Sequence, residues 1–458
     1  MKTICFIANY SKTFLFDSIA TQLRQNHDVE VCWIVVNQKL NEYLQERYSS
    51  SRILYLNRSH AFLHNEAIDD FGLNEIIYGD RALRLNMNES VKFLTNIQKP
   101  LQDFIKNNKV DVFFAEPTWG HEVLIGRMAD KMRIPFLNPE VVRIPNGRFG
   151  FFLGAESHEN LLDIKPASYM NGVAIFPVQR PAYLKIFNNI IAEERSLKGR
   201  LNKLKRFFTN ENIDKQDPTI ISNQKNRFKS RASIEWNREV YYLIKRTSFE
   251  EFKNKQYVLH TLHKQPESTI DVFGRYYEDQ FQFILNLWRK LPQGWKLVIK
   301  EHQNAIGDRP YSFYKKISGY PGIIIADEKI HSHDLIKSAQ LVATVAGTVA
   351  YEAALMQVPA VIFSKTFFCK LSGCLYKTLR ELAECRNLKD WVLEASYQPD
   401  NRSEFCEFVI NNSFEANMTD PISDPSVMDP LNIEKLVAGF HRAIEITTKE
   451  VTTPELAI

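Results

Sequence analysis

Short apolar runs alternate with stretches of helical spacing along most of the chain. In the first half, apolar runs occupy 3–8, 29–36, 53–56, 110–115 and 134–137, with helical patterns at 14–26, 90–107 and 122–131. In the second half, runs at 257–262, 297–299, 322–326, 341–345 and 360–363 alternate with helical patterns at 277–291, 311–318 and 332–339. Strands that alternate with helices form parallel sheets, because a parallel connection needs a crossover long enough to hold a helix. The pattern predicts an α/β protein with two doubly wound, Rossmann-like domains facing a cleft.

The predicted elements divide the chain into four parts. We expect an N-terminal α/β domain at 1–195, a basic helical linker at 196–250, a C-terminal α/β domain at 251–425, and a last helix at 426–458 that crosses back. The linker is rich in Lys and Arg between 198 and 231. A solvated helix face is the ordinary interpretation of such a run, and contact with anionic lipid headgroups or an anionic glycan is the functional one.

A glycine turn between 341–345 and the following helix is the strongest functional signal. Ligands of parallel sheets sit outside the carboxyl ends of the strands. Gly347 permits close approach of the backbone, and free N–H groups at the helix start favour an anion. A second strand end supplies further polar groups, so the predicted nucleotide-binding set is Lys300, His302, Gly347, Thr348 and Glu352. The alternative is that these residues bind no ligand: Gly347 then only forms a tight turn, Thr348 is an N-cap and Glu352 is a solvated helix residue.

Carboxylates also follow two strands of the first domain. Glu116 follows 110–115, and Glu140 follows 134–137. Two acids at one cleft can have their pKa values driven apart, so that one acts as an acid or base near neutral pH. The alternative for Glu140 is a simple ion pair with Arg143. An aromatic cluster at 149–152 either stacks on a sugar or belongs to the core.

Composition narrows the class of protein. The 458-residue chain has a net charge of only +4, which does not indicate a nucleic-acid partner. Its six cysteines lack paired spacing, which favours a reducing compartment and argues against zinc. The N-terminus lacks signal-peptide features, and no run reaches the roughly 18 apolar residues of a membrane span. We therefore expect a cytoplasmic protein, at most peripheral to the inner face of the cytoplasmic membrane.

Three segments of the second half resemble bacterial capsule polysaccharide biosynthesis proteins, a group that includes Kdo transferases. They are LHKQPEST at 262–269, LPQGWKLVIKEHQ at 291–303 and VAGTVAYEAALMQVPAVIF at 345–363. The resemblance covers about 255–365, with a weaker match at 138–151. The His-Pro of that family is His302-Gln303 here, and losing the proline loosens the backbone after the histidine.

The resemblance implies a GT-B glycosyltransferase with a nucleotide-sugar donor in the second domain. It implies a CMP-activated ulosonic acid (Kdo or a nonulosonic acid), with His302 on the phosphate, Gly347 and Thr348 on its oxygens and Glu352 on the ribose or base. The catalytic candidates are Glu140, as first choice for the base, with Glu267, Glu116 and Asp271. Substrate contacts are expected from Arg143, His263, Gln265 and Glu301. No metal or other cofactor is expected, because fixed donors can stabilise a monophosphate leaving group.

Three alternatives remain open at this point. The same turn suits a UDP-sugar GT-B transferase or a polyol-phosphate transferase. A non-catalytic binding protein of envelope assembly would need the anion site but not the carboxylates. A sugar-nucleotide epimerase shares the two-domain fold. For the transferase, the expected partners are a nucleotide sugar and a glycan or lipid-linked glycan acceptor of the cell surface.

Overall fold

A computed structural model describes residues 1–166, 168–178, 196, 198–199, 201–202, 214–221, 223–265 and 267–450, with side chains to residue 448. Within these residues the chain forms two separate sheets, one of seven strands and one of six. Each sheet has a parallel core with helices on its faces, which confirms the predicted α/β class with two Rossmann-like domains.

The first sheet belongs to the N-terminal domain. In chain order its strands are β1 (Lys2–Ile7), β2 (Val29–Val35), β3 (Ile53–Tyr55), β4 (Val112–Phe114), β5 (Phe136–Val141), β6 (Arg148–Leu153) and β13 (Phe414–Glu415). Their spatial order is β13-β6-β5-β4-β1-β2-β3, and the strands from β5 to β3 are parallel. β6 pairs antiparallel with β5, so Glu140 lies opposite Gly150 in a two-stranded extension of the sheet.

The second sheet is wholly parallel. Its strands are β7 (Tyr257–Thr261), β8 (Lys296–Lys300), β9 (Ile323–Ile325), β10 (Leu341–Thr344), β11 (Ala360–Ile362) and β12 (Cys374–Tyr376). The spatial order β12-β11-β10-β7-β8-β9 places the first strand of this domain at the centre. The loops after β10, β7 and β8 therefore lie side by side at one edge of the sheet.

The helices that cover these sheets include those predicted at 14–26, 90–107, 122–131, 277–291, 311–318 and 332–339. Those of the N-terminal domain are α1 (Lys12–Asn26), α2 (Gln38–Gln45), α3 (Leu73–Gly79), α4 (Met87–Asn108) and α5 (Gly120–Lys131). α6 (Gln224–Tyr241) follows, and then α7 (Ser268–Asp271), α8 (Gln280–Arg289), α9 (Tyr311–Ser318), α10 (Ser332–Ser338), α11 (Val349–Leu355), α12 (Leu379–Glu384), α13 (Lys389–Ser396), α14 (Arg402–Asn411) and α15 (Pro430–Glu450). Short 3₁₀ helices occupy Ser50–Arg52, Arg58–Phe62, Leu83–Asn86, Phe249–Glu251, Gln303–Ala305, Phe367–Lys370 and Pro425–Met428.

Strands buried on both faces explain the continuous apolar runs of the sequence. Phe113 packs on one face of the first sheet and Phe114 on the other, and both are fully buried. The aromatic cluster at 149–152 lies in β6, where Phe149, Phe151 and Phe152 are core residues. The core interpretation of that cluster is therefore correct, and its rings do not form a sugar platform.

The end of the chain returns to the N-terminal domain. β13 pairs with β6, and α15 then packs on the first sheet. The fully buried Phe440 of α15 contacts the rings of Phe6, Phe114 and Phe151. The N-terminal core is therefore completed by residues more than 400 positions away from its first strand.

An apolar core and polar contacts hold the two domains together. Val142, Ile144 and Phe152 of the first domain belong to the same buried cluster as Tyr351 of the second. The hydroxyl of Tyr351 donates to the carbonyl oxygen of Ile144 at 2.9 Å. These contacts fix the relative position of the loops that face each other across the cleft.

A four-residue ion cluster reinforces the same junction. Arg127 of α5 pairs with Glu75 at 2.5 Å and with Glu156 at 2.7 Å. Arg275 of the second domain binds the same two carboxylates. Two arginines thus share two glutamates across the domain boundary, which favours the closed arrangement described here.

Part of the predicted basic linker lies outside the described residues. This applies to 197, 200, 203–213 and 222, so membrane contact through the basic stretch at 198–231 stays a prediction. α6 packs against the second domain, where Asn237 donates to the carbonyl oxygen of Gly307 at 3.2 Å. Among the helices that the structure describes, none has the length and apolarity needed to cross a bilayer.

Candidate functional site between the two sheets

The carboxyl ends of the two sheets face one another and define the candidate site, here called the interdomain cleft. Its N-terminal wall carries Lys12, which follows β1, Glu116, which follows β4, and Glu140 near the end of β5. Its C-terminal wall consists of the loops after β7, β8 and β10. The two walls are close, because His158, which binds Glu140, has its ring centroid 3.9 Å from that of Phe273 in the segment after β7. The predicted placement of polar residues at strand ends is thereby realised at a single location.

Positive charge converges on His302 from both domains. Lys264, Arg309 and Lys300 of the second domain surround it, and Arg143 reaches it from the first. The imidazole keeps contact with solvent, but the cleft walls reduce its hydration. This loss of hydration, followed by the four positive charges, lowers the pKa of His302 to about 4. His302 is therefore neutral near pH 7 and stands in a positive field suited to an anion.

The tautomer of His302 follows from its own loop. His302 is the N-cap of the 3₁₀ helix Gln303–Ala305, and its Nδ1 accepts the backbone N–H of Asn304 at 3.2 Å. In a neutral imidazole with Nδ1 as acceptor, the proton resides on Nε2. His302 thus offers an Nε2–H donor, which is the group that a phosphate oxygen requires.

Lys264 supplies the positive charge of the loop after β7. Its charge lowers the pKa values of Glu267, His302 and Asp308. Within the part of the chain that the structure describes, Lys264 forms no ion pair. An ammonium whose charge acts on three titratable groups of one cleft is suited to neutralising a phosphate.

His263 lies beneath this surface and supports it. The ring is buried, and burial, followed by the neighbouring His260 and Arg309, lowers its pKa to about 3. Its Nε2 is hydrogen-bonded to Thr344 Oγ1 at 3.0 Å, and its backbone N–H donates to Gln280 Oε1 at 2.8 Å. The structure therefore connects His263 to the ends of β10 and α8 rather than to the open cleft.

Gly347 is required by close packing in the turn after β10. A Cβ at this position would lie 2.7 Å from Thr344 Oγ1 and 3.4 Å from His263 Cε1. Thr348, the N-cap of α11, makes no side-chain capping bond. The turn therefore presents a bare backbone and a hydroxyl beside the cationic loops.

Replacing Gly347 with alanine should push Thr344 away from His263 and distort the loop that carries Lys264. We expect an overpacking cost of about 1–3 kcal/mol, seen as a lower thermal midpoint, together with weaker nucleotide binding. Gly373→Ala is a useful contrast, because Gly373 has a positive φ of 81° but open space around its Cβ. Gly373→Ala should lose stability through its strained backbone but bind nucleotide normally, so the interpretation is wrong if Gly347→Ala keeps wild-type stability and wild-type nucleotide binding.

Glu140 and Glu267, one on each wall of the cleft, have opposite pKa shifts. Burial raises the pKa of Glu140, but the attraction of His158, then of Arg143 and Lys12, is stronger and lowers it to about 2. Glu267 is exposed at the rim, but the walls around it still reduce its hydration and raise its pKa, to which Glu140 and Asp271 add and which Lys264 and Arg143 oppose. Glu140 is therefore a firmly ionised group, and Glu267 is the better proton acceptor of the two.

Glu140 is kept ionised by His158, which comes after the β5–β6 hairpin in the chain. Its Oε2 lies 2.8 Å from Nε2 of His158. Asn138 Nδ2 is 3.0 Å from the same nitrogen, and the ring of Phe273 lies 3.9 Å from that of His158. His158 thus joins Glu140 to the second domain through Phe273.

The depressed pKa of Glu140 makes a prediction about acid stability. Ionised Glu140 stabilises the fold above its ordinary pKa of 4.5, and this contribution is lost as pH falls from 4.5 toward 2. Glu140→Gln should lower stability near pH 7 by about 1.5–3 kcal/mol, and the difference from the wild type should shrink at pH 3. Thermal midpoints of both proteins across this range measure it. Equal differences at pH 7 and pH 3 would contradict the assigned ionisation.

Glu116 forms an ion pair with Lys12, and this lysine is almost fully buried. The backbone carbonyl of Glu116 accepts a bond from Asn9 Nδ2 at 3.3 Å. Lys12 also attracts Glu140, so the Lys12–Glu116 pair lies beside the first carboxylate of the cleft. Glu116 therefore lines the N-terminal wall in a paired state.

Several predicted site residues are engaged within the protein. Glu301 is buried, and its carboxylate binds Arg309 at 2.7 Å and the hydroxyl of Tyr314. Asp271 is likewise buried, accepting from Gln265 Nε2 at 2.8 Å and from the backbone N–H of Glu267 at 3.0 Å. These groups hold the loops of the second domain in shape, and they leave Glu267 projecting at the N-cap of α7.

Lys300 and Glu352 also have protein partners at the edge of the site. The buried Lys300 Nζ donates to the carbonyl oxygens of Glu328 at 3.1 Å and Ile330 at 2.7 Å. Glu352 Oε2 lies 3.3 Å from Nε2 of His333, with its side chain 25% exposed. Lys300 therefore acts mainly through its charge, whereas Glu352 remains accessible from one side. The assigned roles of all these residues stay predictions.

The structure brings four further residues to the cleft that the sequence patterns do not predict. Lys264 lies inside the 262–269 segment, and His158 follows β6 without any motif. Arg309 supports the His263 backbone carbonyl and Glu301. Burial raises the pKa of Asp308 to about 6, which Lys264 and Arg309 oppose. Only Lys264 carries a sequence signal, namely its place in the polar loop that follows β7.

Comparison with known proteins gives likenesses of fold only. No family model matches the chain, and no curated protein matches it. Among solved structures it is similar to the β-Kdo 2,7-transferase of Thermosulfurimonas dismutans KpsC, with 9% identity over 96% of this chain and 98% of that chain and a TM-score of 0.36. The β-Kdo 2,4-transferase of the same protein gives 11% identity, 73% and 87% coverage and a TM-score of 0.34. UDP-GlcNAc 2-epimerase from Methanocaldococcus jannaschii shares 13% identity over 88% of this chain and 94% of that chain, with a TM-score of 0.25.

These neighbours include both kinds of protein that the sequence analysis named, Kdo transferases and sugar-nucleotide epimerases. Their low identities and TM-scores carry no conclusion about activity, so the functional argument rests on the geometry of the interdomain cleft.

Proposed function

We propose that the chain is a glycosyltransferase that uses a nucleotide-sugar donor and an acceptor glycan of the cell surface. The observation that supports this most strongly is the pairing of unlike carboxylates across a cationic cleft. Glu267 has a raised pKa and Glu140 a lowered one, and both lie beside Arg143. A purely binding protein needs the positive charge but has no use for a proton acceptor.

The donor's phosphate is assigned to the C-terminal wall. His302 would donate its Nε2–H to a phosphate oxygen, and Lys264 would neutralise the charge that develops as the bond to the sugar breaks. Arg143 brings a further charge from the opposite wall. A cluster of this kind serves a monophosphate leaving group without a metal, and we propose a CMP-activated ulosonic acid as the donor. This choice of donor rests on the sequence resemblance alone, since nothing in the geometry separates CMP from UDP.

Glu267 is assigned as the general base. The acceptor hydroxyl would give its proton to the Glu267 carboxylate while its oxygen bonds to the anomeric carbon. The bond from that carbon to the phosphate breaks, and the nucleotide leaves with the electron pair. Glu140, held ionised by His158, would stabilise positive charge on the sugar during the transfer.

A product assay separates this proposal from its rivals. The protein is incubated with CMP-Kdo or UDP-GlcNAc, with and without surface oligosaccharide fractions, and products are followed by NMR. We expect nucleotide release that depends on the oligosaccharide and is lost in Glu267→Gln. Conversion of UDP-GlcNAc to its C2 epimer would show an epimerase instead. Tight nucleotide binding without turnover of either donor would favour a non-catalytic envelope-assembly protein.

A further inference from the structure

An exposed arginine at the mouth of the interdomain cleft is held in one orientation by aromatic packing. The guanidinium carbon of Arg81 lies 4.0 Å from the centroid of the Trp119 ring. Trp119 itself is almost fully buried, while Arg81 is exposed. A guanidinium stacked on an indole uses its face, and its N–H groups remain directed outward in the plane.

The backbone beneath this pair is fixed by a buried carboxylate. Asp80 accepts from the N–H groups of Ala82 at 2.7 Å, Leu83 at 2.9 Å and Gly120 at 2.7 Å. One carboxylate therefore ties the segment that carries Arg81 to the start of α5, which follows directly after Trp119. Both oxygens of the Asp80 carboxylate accept these hydrogen bonds, and Asp80 forms no ion pair with its neighbour Arg81.

Arg81 faces the space between the domains rather than bulk surface. Gly79, two residues earlier, packs so closely on the second domain that a Cβ would lie 2.7 Å from the carbonyl oxygen of Asp271. Tyr10 of the first domain and Asp271 of the second are both near enough to interact electrostatically with Arg81. Within the described ranges, no carboxylate lies close enough to form an ion pair with Arg81.

Tyr10 supplies an apolar surface beside this charge. It lies in the loop after β1, two residues before Lys12, and is 40% exposed. Its ring centroid is 5.8 Å from that of Trp119, and its hydroxyl is hydrogen-bonded to Thr219 Oγ1 at 2.7 Å. The 214–221 segment is anchored in turn, because Arg58 donates to three of its carbonyl groups. The ring of Tyr10 is therefore held against Trp119, the same indole on which Arg81 stacks.

We propose that Arg81 and Tyr10 form a subsite for an acidic sugar of the acceptor, with the carboxylate on the Arg81 guanidinium and the sugar ring against Tyr10. This inference rests on the proposed function for one point only, that the ligand on this wall is the acceptor. The planar fork of arginine matches a carboxylate through two parallel hydrogen bonds, and an exposed tyrosine face suits a pyranose. The subsite lies on the N-terminal wall, opposite the donor phosphate assigned to His302.

The test compares binding of glucuronate, glucose and glucose 1-phosphate by saturation-transfer NMR. We expect the wild type to bind glucuronate more tightly than glucose, and Arg81→Gln to weaken glucuronate binding at least tenfold with no change for glucose. Arg81→Lys should recover only part of the loss, because it keeps the charge without the fork. Arg380→Gln, at a residue 85% exposed on α12, is the matched control and should bind as the wild type does.

Three results would overturn the subsite. They are equal binding of glucuronate and glucose by the wild type, an equal loss in Arg380→Gln, and tighter binding of glucose 1-phosphate that depends on Arg81. Calorimetry with CMP and UDP on the same variants keeps the two proposals separate. Loss of glucuronate binding in Arg81→Gln supports the subsite even in a protein that binds no nucleotide, whereas absence of nucleotide binding counts against the donor site alone.

Discussion

Replacement of Glu267 with glutamine should reduce sugar transfer by about 10²–10⁴-fold, the usual contribution of a general base. Glutamine keeps the size of the side chain and its position at the N-cap of α7, so the loop should fold unchanged. The backbone N–H of Glu267, which donates to Asp271, is also retained. Initial rates at saturating donor measure the effect, and nucleotide affinity should stay within a factor of two or three.

The pH profile gives the same prediction a second measurement. A base must be deprotonated to act, and the pKa of Glu267 lies above its ordinary value of 4.5. Activity should therefore rise with pH through that raised pKa on the acid side. This acid-side rise in the pH–activity curve should disappear in Glu267→Gln and persist in Glu140→Gln. A rise that survives in Glu267→Gln, or a full loss of activity only in Glu140→Gln, would assign the base to Glu140.

Replacement of His302 with alanine should weaken nucleotide binding by about 1.5–3 kcal/mol, roughly 10–150-fold. The substitution removes a hydrogen bond from Nε2–H to a charged phosphate oxygen, which is stronger than a neutral hydrogen bond. His302→Asn is the informative comparison, because its amide retains a donor and can still cap the 3₁₀ helix. His441→Ala, on α15 and stacked on His27, serves as a control away from the interdomain cleft.

His302→Ala is also expected to remove the N-cap acceptor for Asn304. Thermal midpoints therefore accompany the binding data. If His302→Asn fully restores the affinity that His302→Ala loses, a polar side chain is needed at this position, either to bind phosphate or to cap the loop. Equal affinity in the wild type and His302→Ala would remove His302 from the site.

Strand–helix periodicity is sufficient to predict the fold because both sheets are largely parallel and buried on both faces. The apolar runs are then long enough to be read without knowing the partner strands. The hairpin β5–β6 is harder to predict, since Pro139 and Glu140 interrupt the apolar run that ends at 137. The structure continues β5 through both residues to Val141, and this extension carries Glu140 toward His158.

Neighbouring residues in the site loops have opposite surroundings, and sequence alone does not assign them. Glu301 turns inward to Arg309 and Tyr314, whereas His302 turns toward the cleft. Successive side chains alternate at the end of a strand, so a shift of one residue exchanges buried and exposed positions. The inward partner Arg309 comes eight residues after Glu301, beyond a 3₁₀ helix, and no periodic pattern places it.

The loop after β7 shows the same effect. The sequence analysis predicts a substrate contact from His263 and none from Lys264. In the structure His263 is buried against Thr344, and Lys264 stands among the titratable groups of the cleft. The pKa shifts of Glu140 and Glu267 depend on groups from both domains, which is why the sequence can name both acids but not their ionisation.

A calorimetric titration of the wild-type protein with CMP, UDP and CDP, repeated in EDTA, tests the nucleotide site most directly. We expect CMP to bind with one site per chain, EDTA to leave the affinity unchanged, and both His302→Ala and Lys264→Ala to weaken it. Preference for UDP would replace the donor while keeping the cleft as its site. Absence of binding by all three nucleotides, with a folded protein, would contradict the assignment of the interdomain cleft as a nucleotide-sugar site.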